Sequence, residues 1–145
     1  MQDATQPNCL MGTEMPKAEL VARLRKATGL GRVAARMFLA RSGLLAKRII
    51  VAHASQKHRT LHDPLEDDAV YGQKIADAKA KAGEIFREYL AKRNADYIRR
   101  GLNHMVSEHP RGGCHFVWRE TKRILAEQGV TWYSPAEMNP GSIFD

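Results

Sequence analysis

Tyr71, Ile75, Ala78, Ala82, Ile85 and Tyr89 follow one another at alternating steps of four and three residues, and Phe86 and Leu90 widen the same stripe. Side chains at that spacing fall on one face of an α-helix and of no other regular structure, so a long amphipathic helix must run through this stretch and something must cover it. The stripe fails at Lys92-Arg93-Asn94 and resumes out of register with Ile98, Leu102, Met105 and Val106. That predicts either a bend or a second helix, with Gly101 as the other candidate break.

Helices are also expected on both sides. Upstream, Lys17–Ala54 divides into three short helices at two glycine turns, Thr28-Gly29-Leu30-Gly31 and Ser42-Gly43. The first begins near Thr13–Lys17, tolerates Pro16 in its first turn and buries Leu20, Val21, Leu24 and Ala27. The second, Arg32–Arg41, is expected to pack through Val33, Met37 and Phe38, with Arg32 and Arg36 stacked on another face; the third, Leu44–Ala54, through Leu45, Ile49, Ile50 and Ala52. Ser55–Glu66 has no period and contains Asp63-Pro64, which predicts a connecting loop. Downstream, the loop His109-Pro110-Arg111-Gly112-Gly113 precedes a last helix over 115–128, with Val117, Thr121, Ile124 and Leu125 inward and Gly129 as its left-handed cap. Val130–Tyr133 is expected to be extended, and Ser134-Pro135-Ala136-Glu137 to open one more helical turn.

The fold class is therefore mostly α: a three-helix module packed with a long helix or helix pair, then a C-terminal helix with an irregular aromatic tail. At 145 residues one continuous core suffices. Residues 1–12 are expected to form a flexible arm before a single helical domain over 13–145, made of the module (13–54), a loop (55–66) and the helical remainder (67–145). The apolar runs are all too short to span a bilayer, the first residues carry an acid where a secretory signal is basic, and Cys9 and Cys114 stand far apart. A cytoplasmic protein without a disulfide framework is expected.

The net charge of +7 is not spread evenly. Between Lys17 and His62 there are eleven Lys or Arg against one acid, Glu19, whereas from Asp63 onward twelve basic residues meet thirteen acidic ones. Arg23, Lys26, Arg32, Arg36, Arg41, Lys47, Arg48, Lys57 and Arg59 are the candidate nucleic-acid-binding residues, since each could neutralise a phosphate. An acidic protein surface is the second partner class, and a merely solvated face the third reading. A helix-turn-helix is disfavoured because Lys26 and Arg32 stand where that motif buries apolar residues.

Other constellations are weaker than their ordinary explanations. His53, His58 and His62 lack the cysteines or fourth ligand of a zinc site, and His104, His109 and His115 flank a glycine loop. Cys114 beside His115 is adjacency in sequence, not a catalytic geometry. Arg111-Gly112-Gly113 is a glycine connection before it is a phosphate cradle, and Glu84 and Glu88, with Asp77, Lys81 and Arg87 around them, form helix-surface pairs before they form the acids of a metal-dependent nuclease. Trp132, Tyr133 and Phe144 are expected to strap the helical core, with a stacking or docking surface as the alternative.

Leu20-Val21, Leu24-Arg25, Ala27-Thr28-Gly29-Leu30-Gly31, Leu39, Gly43 and Ala46 carry a resemblance. In their order and spacing, residues 17–54 resemble the ubiquitin-associated-like three-helix module at the N-terminus of translation elongation factor Ts. In that family the module is a protein-docking unit that contacts elongation factor Tu, so the resemblance implies binding rather than catalysis. The expected function is a non-enzymatic, cofactor-free binding protein whose module engages nucleic acid, RNA or a ribonucleoprotein preferred. The alternative is a protein–protein adaptor using the same helices, with a homodimer through the long helix.

Overall fold

The computed structural model describes residues 15–101 and 110–144, and within them the chain is mostly helical with no strand. The helices are α1 (Lys17–Thr28), α2 (Arg32–Arg41), α3 (Gly43–Ser55), α4 (Ala69–Arg99), α5 (Gly113–Glu127) and α6 (Pro135–Met138), with a 3₁₀ turn at Pro64–Asp67. The expected arm, as well as Cys9, Leu102, His104, Met105, Val106 and His109, lies outside the described residues.

Two apolar clusters hold the described chain. In the first, Leu20, Val21 and Leu24 of α1 meet Ala35 of α2, and Leu45, Ala46, Ile49, Ile50 and Ala52 of α3. Leu61 and Met138 close that cluster from the loop and the tail. In the second, Ile75 and Ala78 of α4 and Leu125 of α5 surround Leu65, Val130 and Trp132. The tail thus inserts Trp132 into one cluster and Met138 into the other, six residues apart. The aromatic tail does form a strap, and Phe144 rests edge-on against Trp118 of α5.

The helix α4 runs through Lys92-Arg93-Asn94 without a break, so no second helix begins there. Its 31 residues span about 46 Å at 1.5 Å per residue. Beyond Leu90 the buried stripe gives way to contacts one turn apart: Arg93 donates from Nε to Tyr97 Oη (2.8 Å) and from Nη1 to Tyr89 Oη (3.3 Å). Asp96 then pairs with Arg99 and Arg100. Such i,i+3 and i,i+4 contacts continue a helix without a core face. It ends at the second candidate, Gly101, whose φ is +73°.

The orientation of α2 and the extent of the loop differ from expectation. α2 packs through Ala35, with Phe38 and Leu39 beside it, while Val33 and Met37 are 69% and 46% exposed. The small Ala35 lets the α2 backbone approach the core, which turns the opposite face outward. In the loop, Gln56 closes residues 56–62 by accepting from His62 N–H (3.0 Å) and donating to His62 O (2.8 Å). The expected loop ends early, because Pro64 and Leu65 are already buried in the 3₁₀ turn.

That turn lies against the first turn of α4. A Cβ at Gly72 would stand 2.6 Å from the carbonyl oxygen of Glu66, so the two backbones touch only because position 72 has no side chain. Gly72→Ala should therefore cost about 1–3 kcal/mol, as overpacking does. In thermal unfolding by circular dichroism it should melt well below wild type. Gly83→Ala, where the new methyl meets only the mobile end of Arg87 at 3.5 Å, should equal wild type or exceed it.

Candidate nucleic-acid interface

The turn between α1 and α2 sets the geometry of the basic face. Gly29 takes the left-handed conformation (φ +77°) that ends α1, and its N–H bonds to Arg25 O at 2.8 Å. The Thr28 hydroxyl donates to Leu24 O (2.7 Å) and accepts from Leu30 N–H (3.3 Å). Arg25 Nε donates to Leu30 O (3.3 Å), which ties the arginine stem across the turn. α2 consequently folds back beside α1.

Between them lies an open groove of about 570 Å³ lined by Lys17, Ala18, Val21, Ala22, Arg25, Arg32 and Arg36. Lys17, Val21 and Arg25 form one i,i+4,i+8 row of α1, with Val21 buried, Ala18 and Ala22 are exposed on the adjacent row, and Arg32 and Arg36 line the groove from successive turns of α2. Among the described residues, four cations and no carboxylate line this groove. The one acid of α1, Glu19, sits on another face, engaged by Arg23 at 2.8 Å. Like charges gathered this way repel one another unless an anion lies between them.

Of the nine residues singled out by charge, only Arg32 and Arg36 line this groove. Arg23 lies two residues from Arg25, hence nearly on the opposite side of α1 at about 100° per residue, and Lys26, one turn after Ala22, borders the groove without lining it. Arg41 is exposed at the end of α2, and Lys47 is half-buried on α3. Lys57 and Arg59 are exposed on the loop, where Arg59 joins His53 and His58 in a separate cleft of about 400 Å³ beside the tail. The two groove residues missed by charge counting are Lys17 and Arg25. Their spacing of eight, with alanines on the adjacent row, was the available signal.

Arg48 must be removed from the candidate set. It is 2% exposed, donates from Nη1 to Asp63 Oδ2 (2.8 Å) and to Thr131 O (2.5 Å), and packs over the Tyr133 ring at 5.1 Å. A guanidinium enclosed in this way joins α3, the loop and the tail and cannot reach a phosphate. Its partner Asp63 also accepts N–H bonds from Leu65 (3.0 Å) and Tyr133 (2.9 Å). Burial pushes the Asp63 carboxyl above its ordinary value, and the Arg48 charge with the two backbone donors only partly offsets that. Burial likewise pushes the Tyr133 phenol up, against the pull of Arg48.

Several of the remaining candidates make contacts of their own. His62 Nε2 lies 2.9 Å from Asp67 Oδ2, and His115 Nε2 lies 2.8 Å from Phe144 O. Among the described residues no three His, Cys, Asp or Glu side chains gather as a metal site. Glu84 pairs with Lys81 at 3.8 Å on the α4 surface. Gly113, at the start of α5, is held against the Phe86 ring, where a Cβ would come within 3.0 Å. No described helix is long and apolar enough to cross a membrane. The chain matches no protein-family model, no curated protein and no solved structure.

Proposed function

We propose that the protein binds nucleic acid by its phosphate backbone, in the groove between α1 and α2. The observation that carries this reading is the convergence of Lys17, Arg25, Arg32 and Arg36 on one open groove, with no carboxylate among its described lining residues. The small exposed side chains of Ala18 and Ala22 leave room for a chain of phosphates, and the rows on the two helices give successive cations for successive charges. The likeness of residues 17–54 to a translation-factor module favours RNA or a ribonucleoprotein over duplex DNA. Binding, not bond-breaking, is the activity proposed.

The test is a salt series on mixed-sequence RNA. Four neutralised phosphates on a single strand should give a slope of log K against log salt near −3, at about 0.7 per phosphate. Arg32→Gln with Arg36→Gln should weaken binding and flatten that slope to about half, while Arg23→Gln with Arg59→Gln, the one on the far side of α1 and the other in the separate cleft, should leave both nearly unchanged. Both pairs are exposed, so the fold is not at issue. RNA binding that responds equally to the two pairs would place the interface elsewhere, and no binding at low salt would end the proposal.

A further inference from the structure

The outward face of α2 is apolar where it should be polar. At about 100° per residue, Val33, Met37 and Ala40 fall on one line centred opposite Ala35, the residue that α2 buries. Val33 is 69% and Met37 46% exposed. Arg32 and Arg36 border this ridge on one side and Arg41 on the other, and α2 contains no acid. The spacing i, i+4, i+7 is that of anchors in helix-on-helix recognition, and methionine is the side chain most able to adapt to a partner.

We propose that this ridge docks an acidic amphipathic helix of a partner protein. Charge decides the occupant. A second copy of the chain would set its arginines against the same arginines, which selects against self-pairing through this face. Nucleic acid would use the arginines but has no use for Val33 and Met37, which offer no ring for a base to stack on. An amphipathic helix with an apolar stripe edged by Glu or Asp satisfies both features: its stripe covers Val33 and Met37, and its carboxylates meet Arg32, Arg36 and Arg41. The ridge is separate from the phosphate groove, although Arg32 and Arg36 border both. The inference does not depend on RNA binding.

The probe is a fluorescent synthetic helix of about 18 residues with leucines at i, i+3, i+4 and i+7 and glutamates along both edges. A scrambled peptide of identical composition is the control, and binding to the full chain is followed by anisotropy. The amphipathic probe should bind at least about tenfold more tightly than the scrambled one, and Val33→Ser with Met37→Ser should remove that advantage. The same double variant should keep wild-type helicity, melting temperature and RNA salt slope, because neither side chain is in the core or the groove. Equal binding of both peptides would show that charge alone acts and overturn the proposal. So would an advantage that survives the double variant, or a wild-type dimer in sedimentation that the double variant abolishes. Loss of RNA binding by Arg32→Gln and Arg36→Gln tests the groove, and its failure would leave the peptide result standing.

Discussion

Asp63→Ala should destabilise the protein by about 3–5 kcal/mol, the cost of removing one partner from a buried ion pair. The carboxylate is fully buried and gathers three donors from separate segments: Arg48 of α3, Leu65 of the 3₁₀ turn and Tyr133 of the tail. Alanine would take away the carboxylate that faces an enclosed guanidinium and that accepts from the Leu65 and Tyr133 N–H groups. Asp63→Asn keeps the shape and one acceptor, so its loss should be smaller, about 1–3 kcal/mol. Urea unfolding measures both, and Arg48→Met should cost less in the Asp63→Ala background than in wild type. A loss below about 1 kcal/mol for Asp63→Ala would mean that water replaces the carboxylate.

The sign of the pH dependence follows from the same burial. The folded protein holds the Asp63 proton to a higher pH than the unfolded chain, whose carboxyl has the ordinary value of 3.8. Between 3.8 and the raised folded value, the folded state binds more protons, so this group's contribution falls as pH rises through that window. The margin of wild type over Asp63→Ala should therefore widen on acidification, the reverse of an ordinary ion-paired carboxylate. The pair fixes how α3, the loop and the tail meet more than it adds net stability.

Periodicity made the helices legible, and contacts between distant segments were what it hid. The stripe from Tyr71 to Leu90 announced α4 because a one-sided apolar pattern has one solution, and Ser134 with Glu137 announced α6, where the structure shows a reciprocal capping box. In α2 the pattern has two solutions. Val33, Ala35, Met37, Phe38, Leu39 and Ala40 surround most of the helix, and only the turn at Gly29 and the small volume of Ala35 choose the buried side. Arg48 looked like its basic neighbours because its acceptors stand fifteen and eighty-three residues away. Charge counting located the basic module but not the groove, since it is the rotation of α1 that separates Arg25 from Arg23. The candidate site was legible as a region and not as a residue set.

Trp132→Ala tests the strap, and the expected loss is about 3–5 kcal/mol, as for a large core aromatic. Trp132 is 1% exposed among Leu65, Ile75, Ala78 and Leu125, and its Nε1–H donates to Glu66 Oε2 at 2.9 Å. Lys79 bonds the other oxygen of Glu66 and lies 5.4 Å from the indole centroid, so ring, carboxylate and ammonium form one closed set. Trp132→Phe keeps much of the packing and drops the N–H, so it should cost less than alanine. The position also decides how the two clusters are coupled. Because Trp132 and Met138 belong to different clusters on one short segment, removing the indole should release the Met138 contacts as well. Hydrogen exchange should then rise in α1 and α3 along with α4 and α5. Faster exchange confined to α4 and α5 would show that the two clusters unfold independently and that the tail is a cover rather than a link.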